Sequence, residues 1–161
     1  MTTGVLEEKR SGRIVLLRTV IAVTLGFLFL QFLTGMWVNL FVNFPNVSTS
    51  QGYFGMGAMM SFMYSGGAVF VVHMMTGYFI GFLSIIVLVV SLLSHRLAMI
   101  ALGVVGLASV LFAGINGLVF MFSGFTNNAN SYLMALGFVT TFAIYFLQFY
   151  YSGKNVVNQS L

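Results

Sequence analysis

The chain has 161 residues, 60% of them hydrophobic and 5% charged, with six Lys or Arg, two acidic residues and a formal net charge of +4. Soluble domains carry about 25% charged residues, and the mean hydropathy here is +1.04. No side chain ionised at neutral pH lies between Arg18 and Arg96, or between Arg96 and Lys154. That distribution excludes a water-soluble globule, a disordered tail and a nucleic-acid binder, whose phosphate footprint needs clustered cations.

In chain order, residues 1–13 are polar and read as a cytoplasmic tail. No small-residue cleavage site accompanies the apolar run that follows, so that run reads as a retained span. A bilayer core of about 30 Å is crossed by about 20 apolar helical residues. Four segments meet this length, at 14–39, 67–93, 97–122 and 131–151. Helices are dictated because each isolated span must satisfy its own backbone amides. The expected fold is an all-α integral membrane four-transmembrane-helix bundle over 14–152, with a short tail at 153–161. Lys9, Arg10, Arg13, Arg18, Arg96 and Lys154 all fall on one side of four spans, and cations favour the cytoplasmic side, so both termini are expected inside. Residues 41–65 form the long outer loop. Its first part carries the glycosylation sequon Asn46-Val47-Ser48, and its second, 52–66, reads as either an interfacial helix or an extension of span two.

The spans are almost free of chemistry-bearing groups. Aspartate and cysteine are absent, and Glu7 and Glu8 sit in the tail. Carboxylate relays, acid–base pairs, Ser-His-Asp triads and thiolate sites are thereby excluded. Gly77-x-x-x-Gly81 and Gly103-Val104-Val105-Gly106 suit close helix packing, with room for a flat cofactor as the alternative. His73 stands out, since an ionisable residue inside a span is a functional-site candidate; the alternative is a neutral imidazole bonded to a carbonyl or to interfacial water. Counting depth from the span ends places Asn39, His73, Asn116 and Met134 in one outer-leaflet layer, with Gln31 about 12 Å deeper at about 1.5 Å per residue. Such a layer either glues helices together or lines a ligand site. Two cofactor readings follow. A b-type heme would take His73 as axial ligand and Met134 opposite, with Gly77 making room for the porphyrin. Copper(I) would use Met56, Met59, Met60 and Met63, spaced along one helical face, although methionine also simply fills apolar gaps.

Four spans, cytoplasmic ends and an outer-side His at the start of span two resemble half of a heme A synthase. That resemblance implies a heme-binding bundle. The family's second outer-side His corresponds here to Ser131-Tyr132-Leu133-Met134, and no acidic residue precedes His73 between Gly66 and Val72, so its hydroxylation chemistry is not implied. Gln31 to Pro45, His73-x-x-x-Gly77 and Ala113 to Phe120 also look like a group of small four-span proteins of archaea and bacteria, a likeness that implies no function. The leading expectation is a membrane subunit of a respiratory or redox complex holding heme through His73. The alternatives are a non-catalytic accessory subunit without cofactor, and a small channel, carrier or Cu(I)-handling protein. The lack of charged pore-lining residues speaks against an ion pathway. Expected partners are the lipid bilayer and other membrane subunits or a second copy of the chain, since aromatics make up 16% of it and interface cores favour aromatics and Met.

Overall fold

The computed structural model describes residues 2–43 and 56–157, with side chains described over 12–43 and 60–153. Within them lie four α-helices: α1 (Thr2–Phe41), α2 (Met56–Leu93), α3 (Leu97–Phe122) and α4 (Asn128–Val157). Each contains a stretch long and apolar enough to cross a membrane, at Gly12–Phe41, Met60–Leu93, Leu97–Phe122 and Asn128–Gly153. The four spans read from composition are therefore present as four helices. Several boundaries differ. The polar segment 1–13 is helical from Thr2 and continues into span one, and α4 extends beyond 131–151 at both ends.

The connections follow from local chemistry. Between α2 and α3, Ser94 and His95 donate backbone N–H groups to Ser91 and Leu92 carbonyls at 3.1 and 3.2 Å, and His95 takes a positive φ of 52°. After α3, Gly124 occupies the left-handed region at φ 67°. Its N–H reaches the Met121 carbonyl at 3.0 Å, while the Phe125 N–H reaches the Phe120 carbonyl at 3.1 Å. This paired pattern is a Schellman cap, and its usual hydrophobic contact is made by the Phe120 and Phe125 rings, 5.5 Å apart.

The helices alternate in direction and pack as a ring in which α1 adjoins α2 and α4, while α3 adjoins the same two. Arg13 Nη1 donates to the Leu93 carbonyl at 3.0 Å, and the Arg18 guanidinium lies 4.9 Å from the Phe149 ring centre. Arg13 thus ties α1 to the last turn of α2, where a cation also meets the negative end of the helix dipole, and Arg18 packs on α4 about two turns before its end. This end carries both termini. Leu17, Ile21, Val87, Met99 and Tyr145 fill the core behind it.

The other end is closed by a separate aromatic cluster. Val38, Phe62, Phe70 and Met121 are buried there, and Phe125 meets Phe62 edge-on at 5.2 Å. Part of the segment expected as loop is therefore helix. α2 begins at Met56, runs on into span two and bends at Gly67, whose φ of 64° and ψ of −166° are non-helical. From Met56 onward, the segment expected as either an interfacial helix or an extension of span two is helical, set off from the rest of α2 by the kink at Gly67. The physical reason is burial: Phe62 is fully enclosed, so this turn of helix has a surface to pack against. The sequon at Asn46 and the side chains of Met56 and Met59 lie outside the described residues. Met60 is exposed while Met63 packs on the aromatic cluster, so these two methionines do not share one environment.

Candidate functional site: a histidine held between two helices

The pairing of Arg13 with Leu93 sets the register of α1 against α2. Counting equally along both antiparallel helices from that pair brings residue 73 opposite residue 33. The neighbours of His73 are accordingly Gln31, Thr34 and Gly35. Gln31 Nε2 lies 3.2 Å from His73 Nε2, and Thr34 Oγ1 lies 3.1 Å from His73 Nδ1. The proton positions follow from what else these groups do. The Thr34 hydroxyl donates to the Leu30 carbonyl at 2.9 Å, leaving its oxygen to accept from Nδ1–H. Nε2 then accepts from the Gln31 amide, as a neutral imidazole has one donor and one acceptor nitrogen. The Thr76 hydroxyl is directed at Gln31 Oε1 and also lies 2.9 Å from the Val72 carbonyl. Three side chains of α1 and α2 are thereby closed around the imidazole into one network.

Two glycines shape this seam. A Cβ on Gly35 would stand 2.8 Å from His73 Cε1, so the ring occupies the space of the missing side chain. A Cβ on Gly77 would stand 3.4 Å from Gln31 Nε2. The face that Gly77 opens, read from sequence as suiting close packing or else leaving room for a flat cofactor, holds the Gln31 side chain.

Of the remaining members of the expected outer layer, Asn116 and Met134 stay level with each other, and Asn39 departs. Asn39 is exposed on α1, near the aromatic end and not level with His73. Counted from the Arg13–Leu93 pair, Asn39 stands opposite residue 67, six residues beyond His73 on α2. Asn116 is buried, and its amide donates to the Phe112 carbonyl of its own helix at 2.8 Å. Met134 lies against α3, with its sulfur 3.1 Å from where a Cβ on Gly117 would stand. Among the described residues, no three His, Cys, Asp or Glu side chains converge.

A second polar layer lies nearer the terminal end and was not anticipated. Gln148 of α4, fully buried, donates through Nε2 to Ser91 Oγ of α2 at 2.8 Å and to the Met99 carbonyl of α3 at 3.0 Å. One side chain thus joins three helices. The signal was present in the spacing. Thr141, Tyr145, Gln148 and Ser152 recur at helical intervals on one face of α4, and all four are buried.

No protein-family model, curated protein or solved structure matches this chain. The chemistry therefore rests on the residues themselves: a histidine with both ring nitrogens engaged, and a glutamine bridging three helices.

Proposed function

We propose that the chain is a multi-pass protein of the cell membrane, with both termini cytoplasmic, serving as a non-catalytic accessory subunit of a membrane assembly. Insertion is supported by the outward faces of all four helices, which are lined with large apolar side chains such as Phe29, Trp37, Phe82, Ile115 and Val139. Soluble monomers rarely expose continuous apolar surface beyond a few hundred Å². Orientation is supported by the cations, because Arg13, Arg18 and Arg96 all belong to the end that carries the termini and positive residues favour the cytoplasmic side.

The observation that carries the accessory reading is the closed His73 network. Both ring nitrogens are engaged by α1, so the imidazole joins helices and has no free nitrogen to offer a substrate or metal. The rival reading, a b-type heme on His73 and Met134 in a respiratory or redox subunit, does not fit this arrangement. Axial ligation would require Gln31 or Thr34 to leave the ring, Gln31 to leave the face of Gly77, and Met134 to turn from Gly117.

One preparation tests both. The protein is purified from its native membrane in mild detergent with heme supplied during expression, and its absorption is recorded oxidised and dithionite-reduced. The accessory reading expects no Soret band and co-elution with larger membrane proteins. A Soret band lost in His73→Ala would refute it in favour of heme, and a lone chain in its micelle would refute the assembly. Since the chain has no cysteine, single cysteines placed at each terminus give clean labelling from one side, and labelling from outside the cell would overturn the orientation.

A further inference from the structure

The charges of this chain are unbalanced, and the imbalance is local. Glu7 and Glu8 are its only acidic side chains, against six Lys or Arg. Glu8, the nearer of the two to Arg18 in sequence, lies about 15 Å back along α1 at about 1.5 Å per residue. No carboxylate side chain is therefore level with Arg18. Exposed aromatics mark where that level falls. Trp37 and Tyr132 are exposed at one end of the bundle, Tyr150 and Tyr151 at the other, and Trp and Tyr gather at membrane interfaces. Trp37 and Arg18 are about 28 Å apart along α1, as are Tyr132 and Tyr151 along α4. Both spacings match a hydrocarbon core of about 30 Å. Arg18 accordingly stands at the edge of the hydrocarbon, within a side chain's length of the phosphate layer.

The packing holds its guanidinium in one orientation. Arg18 is half-buried, with its Cζ 4.9 Å from the Phe149 ring centre. A Cβ on Gly153 would stand 3.1 Å from Cζ, Nη1 and Nη2 alike. Equal distances put that point over the plane, so the guanidinium lies face-on to α4 at Gly153. Its N–H groups lie in the plane of the fork and point outward along its edges. Among the described residues they make no hydrogen bond and no ion pair. Arg13 differs, since its Nη1 is engaged by the Leu93 carbonyl at 3.0 Å.

We infer that the α1–α4 seam at this end binds the headgroup of an anionic phospholipid, whose phosphate oxygens accept from the edge of the Arg18 guanidinium while Phe149 and Gly153 hold its plane. A planar guanidinium matches two phosphate oxygens at once. Phosphate is the anion concentrated at this depth, and a lipid of net negative charge balances a cation that no side chain of the spans answers. The inference rests on the membrane insertion proposed above. It does not depend on which face is cytoplasmic or on the accessory role.

The test is native mass spectrometry of the full chain released from a neutral detergent and titrated with phosphatidylglycerol, phosphatidylcholine or inorganic phosphate. One phosphatidylglycerol per chain is expected to be retained in preference to phosphatidylcholine. Arg18→Gln should weaken that retention about tenfold, the scale of a lost charge-assisted hydrogen bond. Arg13→Gln removes the same charge from the same end and should leave retention within about twofold, as an exposed charge away from the site does. Gly153→Ala keeps every charge but displaces the guanidinium from α4, and should weaken retention too. Equal retention of the two lipids overturns the inference, and so do equal losses in the two arginine variants, which would mean diffuse surface charge. Displacement of the lipid by inorganic phosphate also overturns it, in favour of a free-anion site. Should Arg18→Gln fail to fold, Gly153→Ala and the lipid preference decide. A chain that stays in solution without detergent would sink the membrane reading and the lipid site together, whereas a detergent-dependent chain without lipid preference sinks the lipid site alone.

Discussion

Substituting Gly106 by alanine isolates one steric contact. The new Cβ would meet Tyr145 Cε1 at 2.4 Å, Cζ at 2.8 Å and the hydroxyl at 3.1 Å. Tyr145 is fully buried, so its ring has nowhere to retreat. Overpacking of this kind costs about 1–3 kcal/mol, while Gly to Ala within a helix returns up to about 1 kcal/mol through propensity. Gly114→Ala is the control on the same helix, since a Cβ there meets nothing within 4 Å. The propensity gain is common to both variants and cancels, so the difference between them reports the contact alone. Gly106→Ala is expected to be less stable than Gly114→Ala by about 1–3 kcal/mol, or roughly 5- to 150-fold in the unfolding equilibrium. Steric trapping or denaturant titration in mixed micelles, followed by circular dichroism, measures that difference. Adding Tyr145→Ala to Gly106→Ala should erase the penalty as a positive coupling. Equal stability of the two glycine variants would refute the close approach of α3 and α4 described here.

Three further outcomes are expected. Gly67→Ala should destabilise by about 1–3 kcal/mol, because φ 64° with ψ −166° is a conformation that essentially only glycine adopts, although nothing lies within 4 Å of that position; Gly67→Asn should lose about as much, and thermal unfolding of the pair checks it. Gln31→Leu removes partners from both His73 and Thr76 and should cost about 1 kcal/mol, the scale of interhelical hydrogen bonds in membrane bundles; an unaltered denaturation midpoint would contradict the network. Arg18→Ala should cost about 0.5–1 kcal/mol through its stacking on Phe149 and exceed the effect of Arg13→Ala, whose single bond to Leu93 is solvent-exposed; parallel denaturant titrations of both variants rank them.

Spans were legible because their signal is one-dimensional: apolar length, and cations gathered at three places in the chain. The site was legible only in part. His73 is conspicuous in any reading, as the one imidazole inside an apolar stretch. Its partners Gln31 and Thr34 depend on how two helices are offset, and apolar spans carry no marker of their relative height. The offset of α1 against α2 is set by Arg13 reaching Leu93 and by Phe62 burying at the far end, both contacts between residues distant in the chain. Gln148 shows the opposite case. A glutamine flanked by Thr141, Tyr145 and Ser152 at helical spacing marks the inward face of α4, yet hydropathy averages each of them into an apolar window. Gly77 illustrates a third limit: sequence reveals that space is left, and only packing reveals what fills it.

The ring of helices sets the first and last spans side by side, with Arg18 of one against Phe149 and Gly153 of the other. Chain order and spatial order therefore form the same closed cycle. In such a cycle each connection joins helices that already touch, so the architecture does not depend on where the polypeptide is opened. Two separately made hairpins, α1–α2 and α3–α4, would meet through side-chain anchors of their own: Gln148 reaching Ser91 across the bundle, and Arg18 against Phe149 on the α1–α4 seam. The bundle is in that sense a pair of modules, with the specificity of their docking written in a few buried polar atoms and one cation.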